Sequence, residues 1–209
     1  MSHESTRFPS FVRALAAAGA AVVLLAFTGV LRAQPAGPGS IEPRQAPFAA
    51  ETARAELAMN ELQQALLARL KAAMDSGGPA SAVEVCRTEA RTIAEAVALK
   101  QGIQLGRTSA RVRNTANTPR PWARTIVESS EGAKASAEKL RVVDLGERVG
   151  VLRPIGTVDM CTRCHGPAEE VRRNIGATLA ASYPQDRATG FAPGDLRGWM
   201  WAEVPKAEK

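Results

Sequence analysis

The chain has 209 residues, 45% hydrophobic and 23% charged, with only 4% aromatic and a net charge of +6. That length allows one domain with a real core, and the composition is that of an ordinary globular protein. No basic run is interleaved with aromatic residues, which excludes nucleic acid as the expected partner.

Residues 1–33 read as a signal peptide. Arg7 and Arg13 form a basic start, an apolar run covers residues 14–31, and Ala33 is the cleavage residue with Leu31 at the −3 position. The run is about 18 residues long, so an uncleaved membrane anchor is the alternative. Either way the remainder is expected outside the cytoplasm, in the periplasm, and a membrane is a partner only if the leader stays on. Three arginines against one glutamate give the leader +2, so +4 of the +6 remains on the mature part. Residues 34–47 are rich in Pro, Gly and Ala and read as a linker, leaving 48–209 as the functional domain.

Residues 48–75 have helical spacing: Leu62, Leu66, Leu70 and Met74 fall four apart, with Ala55 and Met59 extending the stripe. Gly77-Gly78-Pro79 stops it. A capping box at Ser81-Ala82-Val83-Glu84 opens a second helix whose apolar face is Ala82, Cys86, Ala90, Ile93 and Val97, ended by Gly102. That face directs Cys86 into the core. The period then shifts toward two. Ile103, Leu105 and Arg107 begin one strand, and Val112 marks a second between Arg111 and Arg113. Residues 114–121 form a loop by composition, and a short helix covers 122–129 before Gly132. Residues 139–155 hold β-type pieces with turns at Gly146 and Gly150, and Pro154 argues against a central strand at that point. A helix over 168–182 follows from Val171, Ile175 and Leu179, closed by Tyr183-Pro184, and 196–204 make a last strand. The fold class expected is α+β.

Cys161-Thr162-Arg163-Cys164-His165 is a C-x-x-C-H run. Two thiols three apart on one turn can each add across a vinyl group of one porphyrin, and the next histidine presents its imidazole to the iron. The motif therefore predicts one covalent haem c per chain, held by Cys161 and Cys164 and ligated by His165. Bacteria attach such haems outside the cytoplasm, so the leader and the motif support each other. Two other readings compete. A redox dithiol wants a strand leading into the motif, and zinc wants a fourth ligand at finger-like spacing.

The sixth iron ligand has few candidates. The only other histidine, His3, lies in the leader. Met59 and Met74 sit on the apolar stripe of the first helix, where filling the core is the ordinary role of methionine. Met160 adjoins Cys161 and cannot reach across the ring. Met200 lies downstream on a strand between Trp199 and Trp201. Cys86 is the one cysteine left over, either a ligand or a small core residue. Arg107, Arg111 and Arg113 are candidates to pair with haem propionates, because a guanidinium fork matches a carboxylate; surface arginines are the alternative.

The runs Gly106-Arg107-Thr108-Ser109, Arg113-Asn114 with Asn117, Arg153-Pro154-Ile155, Cys161 to Gly166, Tyr183-Pro184-x-Asp186-x-Ala188-x-Gly190 and Gly194-Asp195-Leu196-Arg197-Gly198 resemble the signature of a single-haem c-type family. That family is catalogued as a domain of unknown function, found alone or fused in front of sensor kinases and chemoreceptors. The chain departs from it at Thr115, where the family has proline, and at Ala123, where it has glutamate. The resemblance spans about residues 55–204. It implies a PAS-like antiparallel sheet with flanking N-terminal helices and a C-terminal haem-attachment helix. It also implies a cysteine on the far side of the haem, and the matching position is Cys86.

A thiolate opposite His165 would stabilise ferric iron and give a low potential. That suits a redox or small-gas sensor whose iron–sulfur bond breaks on reduction, with an unidentified redox or signalling protein as partner. A low-potential electron-transfer cytochrome is the alternative. An enzyme would need an open distal site with a proton donor, and the mature chain offers no distal histidine.

Overall fold

The computed structural model describes residues 47–207. The expected signal peptide at 1–33, most of the 34–47 linker, and His3 lie outside the described residues. Among the described residues no helix is long and apolar enough to cross a membrane.

Helix α1 runs Ala49–Thr88 and bends sharply where Gly77 (φ −151°, ψ 15°) and Gly78 (φ 69°, ψ −164°) leave helical geometry. Glycine reaches that second conformation without the penalty a Cβ would incur. The expected stop is therefore a hinge between two limbs. The anticipated capping box does not form, because the Glu84 carboxylate accepts from Arg87 three residues on instead of reaching back to Ser81. Nor is the second helix continuous: the chain turns at Glu89 (φ −108°, ψ −30°) before α2, Ala90–Gln101. Gly102 closes α2 in the left-handed region at φ 62°.

The strands β1 (Gln104–Thr108), β2 (Arg141–Asp144), β3 (Arg148–Gly156) and β4 (Leu196–Pro205) form one antiparallel sheet in the order β1-β4-β3-β2. Both chain-distant strands, β3 and β4, are central, and they are the longest. Pro154 lies inside β3 but past the last pairing with β2, Arg141 opposite Leu152, so its missing N–H faces no partner on that side. The strand expected around Val112 is absent: residues 109–114 are irregular, followed by single turns of 3-10 helix at Thr115–Asn117 and Pro121–Ala123 and the short α3, Arg124–Ser129. Two further helices follow β3: α4 (Asp159–His165) and α5 (Ala168–Ser182).

Alternation along the strands divides the core. One face of the sheet presents Val149, Val151, Met200, Ala202 and Val204 to the first limb of α1 (Ala55, Ala58, Met59, Leu62, Leu66) and to Ala90 and Val97 of α2. The fully buried Val, Leu and Met side chains among these each contribute about 1.5–3 kcal/mol. The opposite face carries Leu152, Trp199 and Leu196 against Ala123 and Val127 beside α3. A third cluster joins Val83, on the second limb of α1, to Val171, Ile175, Leu179 and Tyr183 along α5. The architecture is α+β with a PAS-like antiparallel sheet and flanking N-terminal helices.

Candidate functional site

A cavity of about 380 Å³ opens between the two limbs of α1, the sheet, α4 and the 109–117 loop. That size falls within the range of small-molecule and cofactor pockets. Its walls include Cys86, Cys161, Cys164 and His165, with Leu66, Leu70, Ile155, Tyr183, Met200, Arg107, Arg113 and Arg197. Cys86, 75 residues before the C-x-x-C-H run, thus borders the same space as Cys161, Cys164 and His165.

The C-x-x-C-H run occupies α4, separated from the end of β3 by two residues. Its last turn closes on Gly166, whose N–H donates to the Thr162 carbonyl at 2.8 Å. A Cβ on Gly166 would meet that oxygen at 2.4 Å, so only glycine fits behind the histidine. All three cysteines are free thiols. Burial, partly offset by Arg113, pushes the Cys164 thiol up. Among the described residues no group of three His, Cys, Asp or Glu side chains converges tightly enough to hold a metal ion directly, so the zinc reading has no ligand set.

His165 is oriented by the loop that follows α5. Its Nδ1 lies 2.7 Å from the Ala188 carbonyl. A carbonyl only accepts, so Nδ1 carries the proton and Nε2 keeps its lone pair. Burial, then the guanidinium charges of Arg197 and Arg113, hold the imidazole well below its ordinary range and therefore neutral. The backbone repeats the clamp: Phe191 N–H donates to the His165 carbonyl (2.9 Å) and Gly190 N–H to the Gly166 carbonyl (2.6 Å). The Phe191 ring stands edge-on to the imidazole, centroids 6.4 Å apart.

Asp186 and Arg113 hold this loop in turn. Arg113 Nε donates to Asp186 (3.1 Å), and its Nη2 donates to the Cys164 carbonyl (2.5 Å). The other Asp186 oxygen accepts from Ala188 N–H at 2.8 Å. Both side chains are about nine-tenths buried. Arg113, expected to meet a propionate, borders the cavity, yet its fork is already engaged in bracing the histidine loop. Arg111 departs further from expectation. It is absent from the cavity wall; its guanidinium lies 3.8 Å over the Phe191 ring and donates to the Thr189 carbonyl (3.1 Å). Arg107 does border the cavity, and so does Arg197, which sequence reasoning quoted within a run but gave no role. The Nε of Arg197 is buried without a partner.

Cys86 sits on the second limb of α1, half-buried on the cavity wall and not within the packed core expected for it. The apolar contacts of that limb are made by its neighbours, Ala82 and Val85 against Ala73, and Val83 against α5. Tyr183 faces the same space; burial, then the neighbouring Cys86, pushes its hydroxyl up to about 12. Of the methionines, Met59 is packed in the core away from the cavity, whereas Met74, Met160 and Met200 border it. The Met200 sulfur accepts from Arg153 Nη2 at 3.1 Å. The missed residues, Tyr183, Asp186, Ala188 and Arg197, all fall in the run after α5. Its dense Tyr-Pro, Asp and Gly pattern was the available signal.

Residues 44–205 match the family model described as Tll0287-like. The chain belongs to the Tll0287-like family. Among solved structures, the chain is similar to the crystal structure of the cyanobacterial heme-protein Tll0287, with a TM-score of 0.59 and 22% identity over 77% of this chain and 98% of that one. At that identity the likeness concerns the fold. No curated protein matches. The Tll0287-like match spans the hinge of α1, the sheet and the C-x-x-C-H helix together, and so covers every wall of the cavity.

Proposed function

We propose that the chain is an exported c-type monohaem protein whose haem-binding module senses redox state or a small gas. The observation that carries this reading is the meeting of Cys161, Cys164, His165 and Cys86 on one cavity. Cys161 and Cys164 would hold the porphyrin through thioethers, each S–H adding across a vinyl C=C, a redox-neutral step. His165 offers Nε2 as one axial ligand, and Cys86, from the opposite limb, offers the other. Leu66, Leu70 and Ile155 line the space and exclude water. When bound, haem supplies a one-electron couple and an iron able to take a diatomic gas. The name of the solved relative, a heme-protein, supports the cofactor. The N-terminal leader pattern supports the periplasm.

The chain's contribution to sensing is an asymmetry of ligation. His165 is locked by its backbone and by Ala188, while Cys86 stands beyond the glycine hinge. A low-potential electron-transfer cytochrome is the second reading, favoured by Met200 bordering the same cavity. The deciding experiment is a denaturing gel stained for haem, followed by reduction under CO. Covalent haem that takes up CO on reduction supports the sensor; covalent haem that refuses CO in the ferrous state supports the electron carrier. A colourless band with red acid-acetone extract overturns the attachment itself.

A further inference from the structure

Arg197 is the most poorly satisfied polar side chain of the site. Its Nε is sealed from solvent and bonded to nothing, and its Nη1 reaches only the Arg111 carbonyl at 3.4 Å. Its guanidinium carbon lies 5.0 Å from the centroid of the Phe191 ring, which Arg111 also approaches, at 3.8 Å. Burial, with Arg113 and Arg107 nearby, pulls Arg197 down to about 10. An orphaned buried guanidinium nitrogen costs free energy unless a partner arrives.

Arg107 shares the cavity with it, and among the described residues its side chain makes no hydrogen bond or ion pair. Arg113 is the third guanidinium, and Asp186 is the only carboxylate drawn into the group, already bonded to Arg113 and to the Ala188 amide. Glu131 lies outside, 3.8 Å from Arg111. Three cations against one carboxylate leave two positive charges on the cavity wall without an anion.

We propose that Arg197 and Arg107 form a seat for two carboxylates, and that the carboxylates it takes are the haem propionates. This rests on the haem reading above. Guanidinium forks bind carboxylates through paired hydrogen bonds, and both Arg197 and Arg107 border the cavity. The two surplus charges match the two propionates. Arg113, by contrast, is a positioning residue for His165.

The test uses the exported holoprotein, first checked for haem on a denaturing gel. Arg197→Gln, Arg197→Lys and Arg107→Gln are compared with Arg91→Gln, an exposed control on α2. Potentiometry from mildly acid to neutral pH is the readout. Removing a cation beside the haem favours the ferric state, so Arg197→Gln is expected to shift the ferric/ferrous equilibrium about tenfold toward ferric, about 59 mV for one electron. A propionate freed of its guanidinium also protonates at higher pH, so the potential gains a pH slope there. Lysine restores the potential in part, and Arg107→Gln gives a smaller shift in the same direction, which serves if Arg197→Gln fails to fold. A haem-free parent would sink the haem reading and this seat with it. Haem-loaded Arg197→Gln and Arg107→Gln variants titrating like Arg91→Gln would sink the seat alone.

Discussion

The two walls of the cavity are built differently. The wall carrying His165 is over-determined: a side-chain bond to Ala188, two backbone bonds from Gly190 and Phe191, a glycine that tolerates no Cβ, and a buried Arg113–Asp186 pair behind them. The wall carrying Cys86 is a single helical limb beyond Gly77 and Gly78, packed through Ala82, Val83 and Val85. Small side chains bury little area, so this limb is the less stable unit. The ligand pair proposed above, with one fixed member and one on a hinge, would be suited to exchange at one position only.

Cys86→Ala tests that contrast most strongly. The haem is expected to stay on the chain, held by Cys161, Cys164 and His165, while the ferric spectrum loses its thiolate character and the potential rises. An unchanged spectrum would move the sixth position away from Cys86, and Met200→Leu would then show whether the thioether takes it.

Breaking the other wall should cost stability first. Asp186→Asn leaves the buried Arg113 charge uncompensated, and about 3 kcal/mol of unfolding free energy should be lost in urea titration. Because the same carboxylate sets the Ala188 loop, the His165 environment should loosen as well. Loss of stability below about 0.5 kcal/mol would remove the pair from the bracing scheme.

A subtler cut goes through the hinge. Gly78 has φ 69° and ψ −164°, a region essentially closed to residues with a Cβ. Gly78→Ala should destabilise by about 1–3 kcal/mol and shift the sixth ligand while leaving His165 signals in place. If both ligands respond together, the two walls are not independent.

The smallest effect lies away from both walls. Glu203, buried on β4, accepts from Arg120 Nε (2.8 Å) and Trp122 Nε1 (2.7 Å). Burial pushes its carboxyl up, but those two donors outweigh burial and hold it below its ordinary value of 4.5. A folded value below the unfolded one means stability present above about pH 4.5 and lost as pH falls through the lower folded value. Thermal melts between about pH 5 and pH 3 should show this slope, and Glu203→Gln should flatten it without altering the haem spectrum.

Most helices and strands were readable from spacing, because each buries one face: Val171, Ile175 and Leu179 mark α5 to the residue, and the alternation in 196–204 marks β4. The failures share a cause. Val112 has the local character of a strand, but its carbonyl accepts from the Arg187 N–H (3.0 Å) in the loop after α5 instead of from a strand. Ser81 and Glu84 spell a capping box, but Arg87 competes for the carboxylate at the next turn.

By itself, the sequence determined the C-x-x-C-H run, the helical stripes and the β-type stretches that became β1 to β4, because each depends on residues within one or two turns of each other. Only the tertiary structure decided which arginine does what, because charge pairing acts across space. It turned Arg113 toward Asp186 and Arg111 onto Phe191, left the Arg197 Nε without a partner, and moved Cys86 from a supposed core position to the cavity wall.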